Sequence, residues 1–390
     1  MRKAYQFRIY PNRKTEVKLN STLSTCRHLY NEALAQRKRQ KNINDLCRNF
    51  DVFPWGKPVW INYEDQAREL TATKTGYQKE IYSQVLQNVL KRVDRSFKNF
   101  FAGFGYPRFQ GRNRYNSFTY PQSGFGIKEG KLTLSKIGSI KIIQHRAIEG
   151  KIKTCTIKKD IDQWHATFSV EIDDPVPVQA KTRTGIDVGL SSLLTLSNGE
   201  QIEPPEFLRT KENKLTREQV RLSRKRERSH NRKKQVTIVA KVHRKIRNQR
   251  KDFNHKISRM LVDTYDRIVF EDLQIKNMVQ NHHLAKSIFD AGWYQLMQFT
   301  TFKAECAGKI VELVNPKGTS QNCSRCHNPV PKDISVRVHS CPFCGLVLDR
   351  DHNAAINILA RSICTVGTTG IYARQRLLDR GSMQRDAQAL

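Results

Sequence analysis

The sequence predicts a multidomain chain, α/β in its second half, with a helical module and a small β-barrel ahead of it. Three observations carry this. Apolar residues step by three and four between Leu19 and Phe101, alternate in short runs between Leu132 and Ile172, and then form strand-like segments that end in acids at Asp187 and Glu271. At 390 residues the chain has room for two or three domains, each with an apolar core of its own.

Tyr5, Phe7 and Ile9 alternate with Gln6, Arg8 and Tyr10, the pattern of a half-buried strand. Pro11-Asn12 ends it, and Asn12 is placed to cap the next helix. Leu19, Leu23, Cys26, Tyr30 and Ala33 share one face of that helix. A second helix carries Val85, Val89, Val93 and Phe97, with Leu86, Leu90 and Phe101 widening the stripe. Between them Asn42 to Gln66 reads as irregular, around Pro54, Trp55, Pro58 and Trp60, so a helical module is expected over 13–102. From Gly103 the period falls to two. Leu132/Leu134, Ile140/Ile142, Ile152 to Ile157 and Phe168 to Ile172 read as short strands between turn residues. With the N-terminal strand (1–12) they complete a small barrel over 103–180. Pro175-Val-Pro177 and Lys181 to Thr184 form a linker. The second unit opens with Gly185-Ile-Asp187-Val-Gly189 and a hairpin about Ser197-Asn-Gly199.

Charge narrows the partner. Lys and Arg number 69 against 36 Asp and Glu, a net charge of +33, which predicts salt-sensitive binding to a polyanion by counterion release. The excess is densest over 208–251, in Arg221, Arg224, Lys225, Arg226, Arg228, Arg232, Lys233 and Lys234, with Glu212, Glu218 and Glu227 opposing them. The run has few breakers and reads as long solvated helices. An ordinary exposed face is the plain alternative, but one-signed charge this dense repels itself unless an anion lies against it, so nucleic acid is the expected partner. An anionic membrane is the competing surface, yet no long apolar segment or lipid-anchor signal supports it, and Met1-Arg2-Lys3 does not lead into a signal peptide.

Of nine cysteines, four stand as Cys323-x-x-Cys326 and Cys341-x-x-Cys344, with fourteen residues between the pairs. Each pair on a tight turn aims two thiolates at one ion, the spacing of a structural zinc ribbon. Four thiolates close the coordination shell, so His327 and His339 are expected outside it. Cys26, Cys47, Cys155, Cys306 and Cys364 form no pairing pattern, which points to a reducing, cytoplasmic setting.

Asp187 and Glu271 each end an apolar strand, and Asp351 opens the helix Asn353-Ala-Ala-Ile-Asn-Ile358. Buried carboxylates without partners are expensive, so acids so placed usually meet a cation. Two divalent ions would neutralise all three and promote phosphodiester hydrolysis, with magnesium favoured by the oxygen ligands and manganese a substitute. Asp349 reads as a helix-start residue.

The chain also resembles the TnpB family, transposon-encoded RNA-guided nucleases related to type V CRISPR effectors. The matching pieces are Phe7 to Pro11, Arg27 to Asn31, Ser96 to Phe101, Gly105 to Phe109, Gly185 to Gly189, Phe270 to Leu273, Asp290 to Trp293, Thr319 to Cys326, Cys341 to Gly345 and Asp349 to Ile358. The last three together are highly specific. The resemblance covers roughly residues 1–365. It implies an RNase H-like RuvC nuclease domain over 181–320 and 346–367, interrupted by a zinc ribbon at 321–345. It also implies a split barrel, the wedge, over 1–12 and 103–180, a helical recognition module over 13–102 and a mobile tail at 368–390. Asp187, Glu271 and Asp351 then become the catalytic carboxylates. A guide RNA from the transposon end would direct cutting of double-stranded DNA beside a short adjacent motif, one site serving both strands, in a prokaryotic, nucleoid-associated setting. By position, Gln84, Gln87, Asn88, Ser117, Thr119 and Tyr120 fall to motif reading. Arg27, Lys98 and Arg108 join the basic helices as backbone contacts.

Rival readings are a cut-and-paste transposase, a guided repressor and a plain zinc-ribbon DNA-binding protein. Transposase sites usually run Asp, Asp, Glu along the chain, and the order here is Asp, Glu, Asp. A repressor would be favoured by loss of an acid, and all three are present. A plain ribbon protein would give strand-end acids no purpose.

Overall fold

β1 (Arg2–Tyr10) buries Tyr5, Phe7 and Ile9 and exposes the residues between, as its alternation requires. The fold is that of a computed structural model, which describes residues 1–53, 56–205, 207–333 and 335–363. The expected mobile tail and the Pro54-Trp55 pair lie outside those residues. The chain divides into two units, Met1–Asp173 and Asp174–Leu390. Among the described residues no helix is long and apolar enough to cross a membrane.

In the first unit Asn12 caps α1 (Arg13–Asn49) by accepting from the Thr15 backbone N–H at 2.9 Å. This helix runs further than its apolar stripe suggested. Asn42 to Asn49 stay helical because the Lys41–Asp45 pair closes one turn at 2.6 Å and buried Asn44 donates to the Val59 carbonyl at 2.7 Å. After α2 (Tyr63–Ala72) and α3 (Gly76–Lys79), α4 (Ser83–Phe101) buries the whole stripe Val85, Leu86, Val89, Leu90 and Val93. Seven antiparallel strands complete the unit: β1 with β2 (Ser117–Tyr120), β3 (Phe125–Lys128), β4 (Lys131–Leu134), β5 (Gly138–Ile143), β6 (Lys151–Asp160) and β7 (Gln163–Glu171). Their order is β2-β6-β7-β1-β5-β4-β3. The edge strands β2 and β3 do not pair, so the sheet is a curled half-barrel, open between its edges as a split barrel is. Phe118, Tyr120, Phe125 and Phe168 fill its interior with ring contacts at 6.0 to 6.4 Å.

The second unit is built on a five-stranded sheet of β8 (Arg183–Val188), β9 (Leu194–Leu196), β10 (Gln201–Ile202), β11 (Arg267–Glu271) and β12 (Ile310–Val314), in the order β10-β9-β8-β11-β12. β8, β11 and β12 are parallel, and the β9–β10 hairpin turns back from them. β11, the middle of the three parallel strands, carries Ile268, Val269 and Phe270, all fully buried, the continuous apolar run of a strand covered on both faces. Between β10 and β11 lie α5 (Phe207–Ser223) and α6 (His230–Thr264), the long basic helices expected. Then come α7 (Ile275–Met278), α8 (His282–Ala291) and α9 (Trp293–Cys306) before β12. A short hairpin of β13 (Val338–Ser340) and β14 (Val347–Asp349) leads into α10 (Arg350–Ile363).

The fit of α10 to the sheet positions the site. A Cβ on Gly185 would lie 2.3 Å from the Ala355 carbonyl and 2.5 Å from the Leu359 nitrogen. Only glycine admits a helix that close. Residues four apart share a helix face, and residues two apart share a strand face. Docking Ala355 on Gly185 therefore brings Asp351 toward Asp187.

Candidate metal centres

Strand register gathers the carboxylates. β8 and β11 pair in parallel with Ile186 opposite Phe270. One residue on, Asp187 and Glu271 stand side by side at the carboxyl ends of neighbouring strands, on the face that meets α10. Asp351 comes in from that helix, its Oδ2 3.9 Å from where a Cβ on Gly189 would lie. Asp349 ends β14 and caps the helix as expected, accepting from the Asp351 and His352 backbone N–H groups at 2.9 and 3.1 Å.

Each acid is held above its ordinary range. Burial, then the fields of Glu271 and Asp351, push the Asp187 carboxyl up to about 8. Burial raises Glu271, against the Thr319 hydroxyl that donates to it and the field of Arg361. Burial and Asp349 raise Asp351, and Arg337, 3.7 Å from its Oδ2, opposes them with Arg350. Mutual repulsion of this kind is what a divalent cation relieves, and oxygen-only donors suit hard ions. The three carboxylates are not drawn into a single-ion cluster: among the described residues the four cysteines alone bring all their ligand atoms within 4.8 Å of one another. Acids that share two ions need not meet that spacing.

The cysteines do meet it. Cys323 and Cys344 sulfurs lie 3.5 Å apart, as do those of Cys326 and Cys341. A tetrahedral zinc with bonds of about 2.3 Å spaces its sulfurs about 3.8 Å apart, so the quartet fits the ion with little adjustment. Burial pushes the Cys323 thiol up, but the backbone N–H groups of Cys326 and Arg325, with His339 and Cys344, bring it down to about 5. Gly345 takes the left-handed turn after the second knuckle at φ 70°, and His327 takes the equivalent turn after the first at φ 62°. His327 thus occupies a backbone position that favours glycine. His339 is buried with its ring against the Lys332 ammonium. The closed thiolate shell makes this a structural centre, with no open position for substrate.

The basic residues separate into exposed and structural groups. Arg224, Lys225, Arg226 and Arg228 lie in the exposed turn between α5 and α6, and Lys233 and Lys234 are exposed on α6. Arg232 differs from expectation: its Nη1 donates to the Leu222 and Lys225 carbonyls at 3.0 and 3.2 Å, closing the end of α5. The sequence reading missed a shallow groove farther along α6, lined by Lys241, Arg244, Lys245, Asn248, Gln249 and Asp252. Its signal is the helical spacing of Lys241, Arg244 and Lys245, inside the basic run over 208–251 but past the residues singled out there.

In the first unit Arg108 is exposed, Lys98 pairs with Asp94 at 3.1 Å, and the Arg27 guanidinium contacts the His28 ring at 2.7 Å. Gln87 is exposed on α4, with Gln84 and Asn88 half-buried beside it. Two of the expected motif-reading residues have other work. Tyr120 is 1% exposed, its hydroxyl on the Ser135 carbonyl at 3.0 Å, because its strand parity points it into the half-barrel. The Thr119 hydroxyl is taken by Arg92 and Thr156, both at 2.9 Å, and Arg92 also donates to the Ser117 carbonyl at 2.7 Å.

Comparison with known proteins comes out in one direction. The OrfB_IS605 family model, described as "Probable transposase", matches residues 167–282, and a "Cas12f1-like, TNB domain" model matches 293–358. A "Helix-turn-helix domain" model matches residues 1–42, where the structure has one strand and one unbroken helix. "Putative RNA-guided DNA endonuclease InsQ" of Escherichia coli K12 is 30% identical over 380 residues, covering 92% of this chain and 91% of its own. A Streptomyces pristinaespiralis protein, "Putative RNA-guided DNA endonuclease", is 34% identical over 376 residues, covering 93% and 90%. A Cas12f1 chain, solved with sgRNA and target DNA, shares the fold at a TM-score of 0.56 and 13% identity, covering 92% of this chain and 98% of that one.

Proposed function

The chain belongs to the TnpB family, and we propose that it is an RNA-guided DNA endonuclease hydrolysing double-stranded DNA at Asp187, Glu271 and Asp351. The observation that carries this reading is the meeting of three pKa-raised carboxylates at the ends of two parallel strands and the start of one helix. Crevices beyond the carboxyl ends of parallel strands are where such sheets hold ligands. The sheet connectivity supports an RNase H-like, RuvC-type domain over 181–320 and 346–367, with the ribbon at 321–345 inserted in it. The half-barrel over 1–12 and 103–180 serves as the wedge, and the helices over 13–102 as the recognition module.

Asp187 and Glu271 present their oxygens from one rigid sheet, and Asp351 meets them from a helix fixed by Gly185. Bound divalent ions, magnesium or manganese in its place, would activate a water and stabilise the leaving oxygen of the phosphodiester. The acids surrender their protons to admit cations, so cation affinity rises with pH. Arg337 and Arg350 offset charge on the Asp351 side. The cysteine quartet would hold zinc and keep the ribbon folded.

A guide RNA from the transposon end and the DNA duplex are the partners, an assignment supported by the net charge of +33 and by the names of the relatives. Arg224, Lys225, Arg226, Arg228, Lys233 and Lys234, the α6 groove, and Arg27, Lys98 and Arg108 contact phosphates, while pairing with the guide selects sequence. Gln84, Gln87 and Asn88 read the adjacent motif, since amide side chains match adenine edges.

Asp187→Ala in the guide-loaded protein tests this. Magnesium-dependent cutting of a matched duplex should fall at least about a thousandfold, with guide and target affinity retained. Equal loss of binding would contradict a catalytic role, and a wild-type particle that binds but never cuts would favour the repressor.

A further inference from the structure

The Glu271 carboxylate is steered by a residue outside the acid trio. Thr319 is buried, and its hydroxyl donates to Glu271 Oε1. The Pro316 carbonyl lies 2.9 Å from the same oxygen of Thr319. A hydroxyl has one proton, and a charged carboxylate attracts it more strongly than a neutral carbonyl does. The donated bond therefore strengthens when Glu271 is ionised, the form a cation requires.

Thr319 is itself tied to α10. Asn357 Nδ2 donates to the Thr319 and Asn322 carbonyls at 2.8 and 2.7 Å. Asn353 Nδ2 donates to the Asn322 carbonyl at 2.9 Å, and its Oδ1 accepts from the Ser324 backbone N–H at 2.9 Å. Both asparagines are buried, so these bonds are costly to break. Cys323, a zinc ligand, sits between Asn322 and Ser324. Residues 319–324 thus form a strut with one end on Glu271 and the other in the thiolate site, its middle fastened to the helix that carries Asp351.

We infer that Thr319 is a positioning residue for Glu271, held by the zinc ribbon through Asn353 and Asn357, so that zinc in the thiolate site raises cation affinity at the carboxylates. This rests on the cation-binding reading above and adds a regulator to it.

The test is a manganese titration of the zinc- and guide-loaded protein, followed by the paramagnetic signal of free manganese. Thr319→Val, which keeps shape but loses the hydroxyl, should weaken binding by about tenfold, and Thr319→Ser should restore it, as for other groups that orient metal ligands. The magnesium needed for half-maximal cutting should rise by the same factor, with the saturated rate little changed. Zinc content and melting temperature, alike in both variants, exclude misfolding. Removing zinc by chelation and dialysis should weaken manganese binding in the wild type but add little to Thr319→Val. Unchanged manganese affinity in Thr319→Val, while Asp187→Ala abolishes it, overturns the role of Thr319 alone. Equal loss on zinc removal in wild type and Thr319→Val overturns the linkage. Unchanged affinity in Asp187→Ala overturns the carboxylate reading beneath both.

Discussion

The thiolate and carboxylate centres stand in one unit and solve opposite problems. The four cysteines come from one stretch of chain, Cys323 to Cys344, and two knuckles and a hairpin suffice to gather them within 4.8 Å. The acids come from positions 187, 271 and 351, and only strand register and the docking of α10 bring them together. The thiolate site is closed and lends its ion to stability. The carboxylate site gathers like charges in a buried setting, which holds Asp187 up to about 8. Local spacing builds the stable centre, and topology builds the strained one.

The largest effect that would sharpen this contrast is at Cys323. Cys323→Ser should lower zinc affinity at least about a hundredfold and loosen the ribbon, because structural zinc supplies folding energy directly. Metal analysis after dialysis reads this, and full zinc occupancy would break the four-cysteine assignment. Next comes Gly185→Ala, which places a methyl 2.3 Å from the Ala355 carbonyl. Forcing α10 outward should cost about 1–3 kcal/mol in chemical denaturation and impair cutting by displacing Asp351. Zinc content should fall less than cutting does, since the two knuckles gather the thiolates locally and only residues 319–324 are tied to α10.

A smaller effect follows pH. In the unfolded chain Asp187 ionises near 3.8, and in the fold near 8. Between those values the folded state keeps a proton that the unfolded state has released, so metal-free stability should fall as pH rises from 4 to 8. Asp187→Asn should flatten this fall, and magnesium at pH 8 should restore the wild type but not the variant. Melting in chelator across that range decides, and a wild-type profile that rises instead would contradict the burial of the acids. Smallest is the basic turn: replacing Arg224, Lys225 and Arg226 with glutamine should reduce the salt slope of RNA binding by about 2 units. An unchanged slope would place the RNA elsewhere.

What the sequence disclosed follows the same division. Features encoded within one helical turn or one strand were legible: the alternation of Tyr5, Phe7 and Ile9, the Asn12 and Asp349 caps, the α4 stripe, the cysteine knuckles. Acid-ended apolar strands flagged Asp187 and Glu271. Features set by distant contacts were not. Nothing local distinguishes Tyr120 as interior or Thr119 as bonded to Arg92 on the opposite face, since strand parity on β2 depends on which sheet it joins. Arg232 looked like its neighbours until the end of α5 turned its carbonyls toward it. The continuation of α1 past Asn42 likewise depends on Val59, a residue outside the helix, accepting from Asn44. Gly185 was visible as part of a motif, but its purpose appears only with Ala355 against it, and Thr319 gains meaning only beside Glu271.

The most direct test of the central claim is anomalous diffraction from the guide-loaded protein crystallised with manganese. Two peaks about 3.5–4 Å apart, bracketed by Asp187, Glu271 and Asp351, are expected, distinct from a zinc peak within the cysteines. Manganese elsewhere, or an empty crevice between the three acids at saturating concentration, would contradict it.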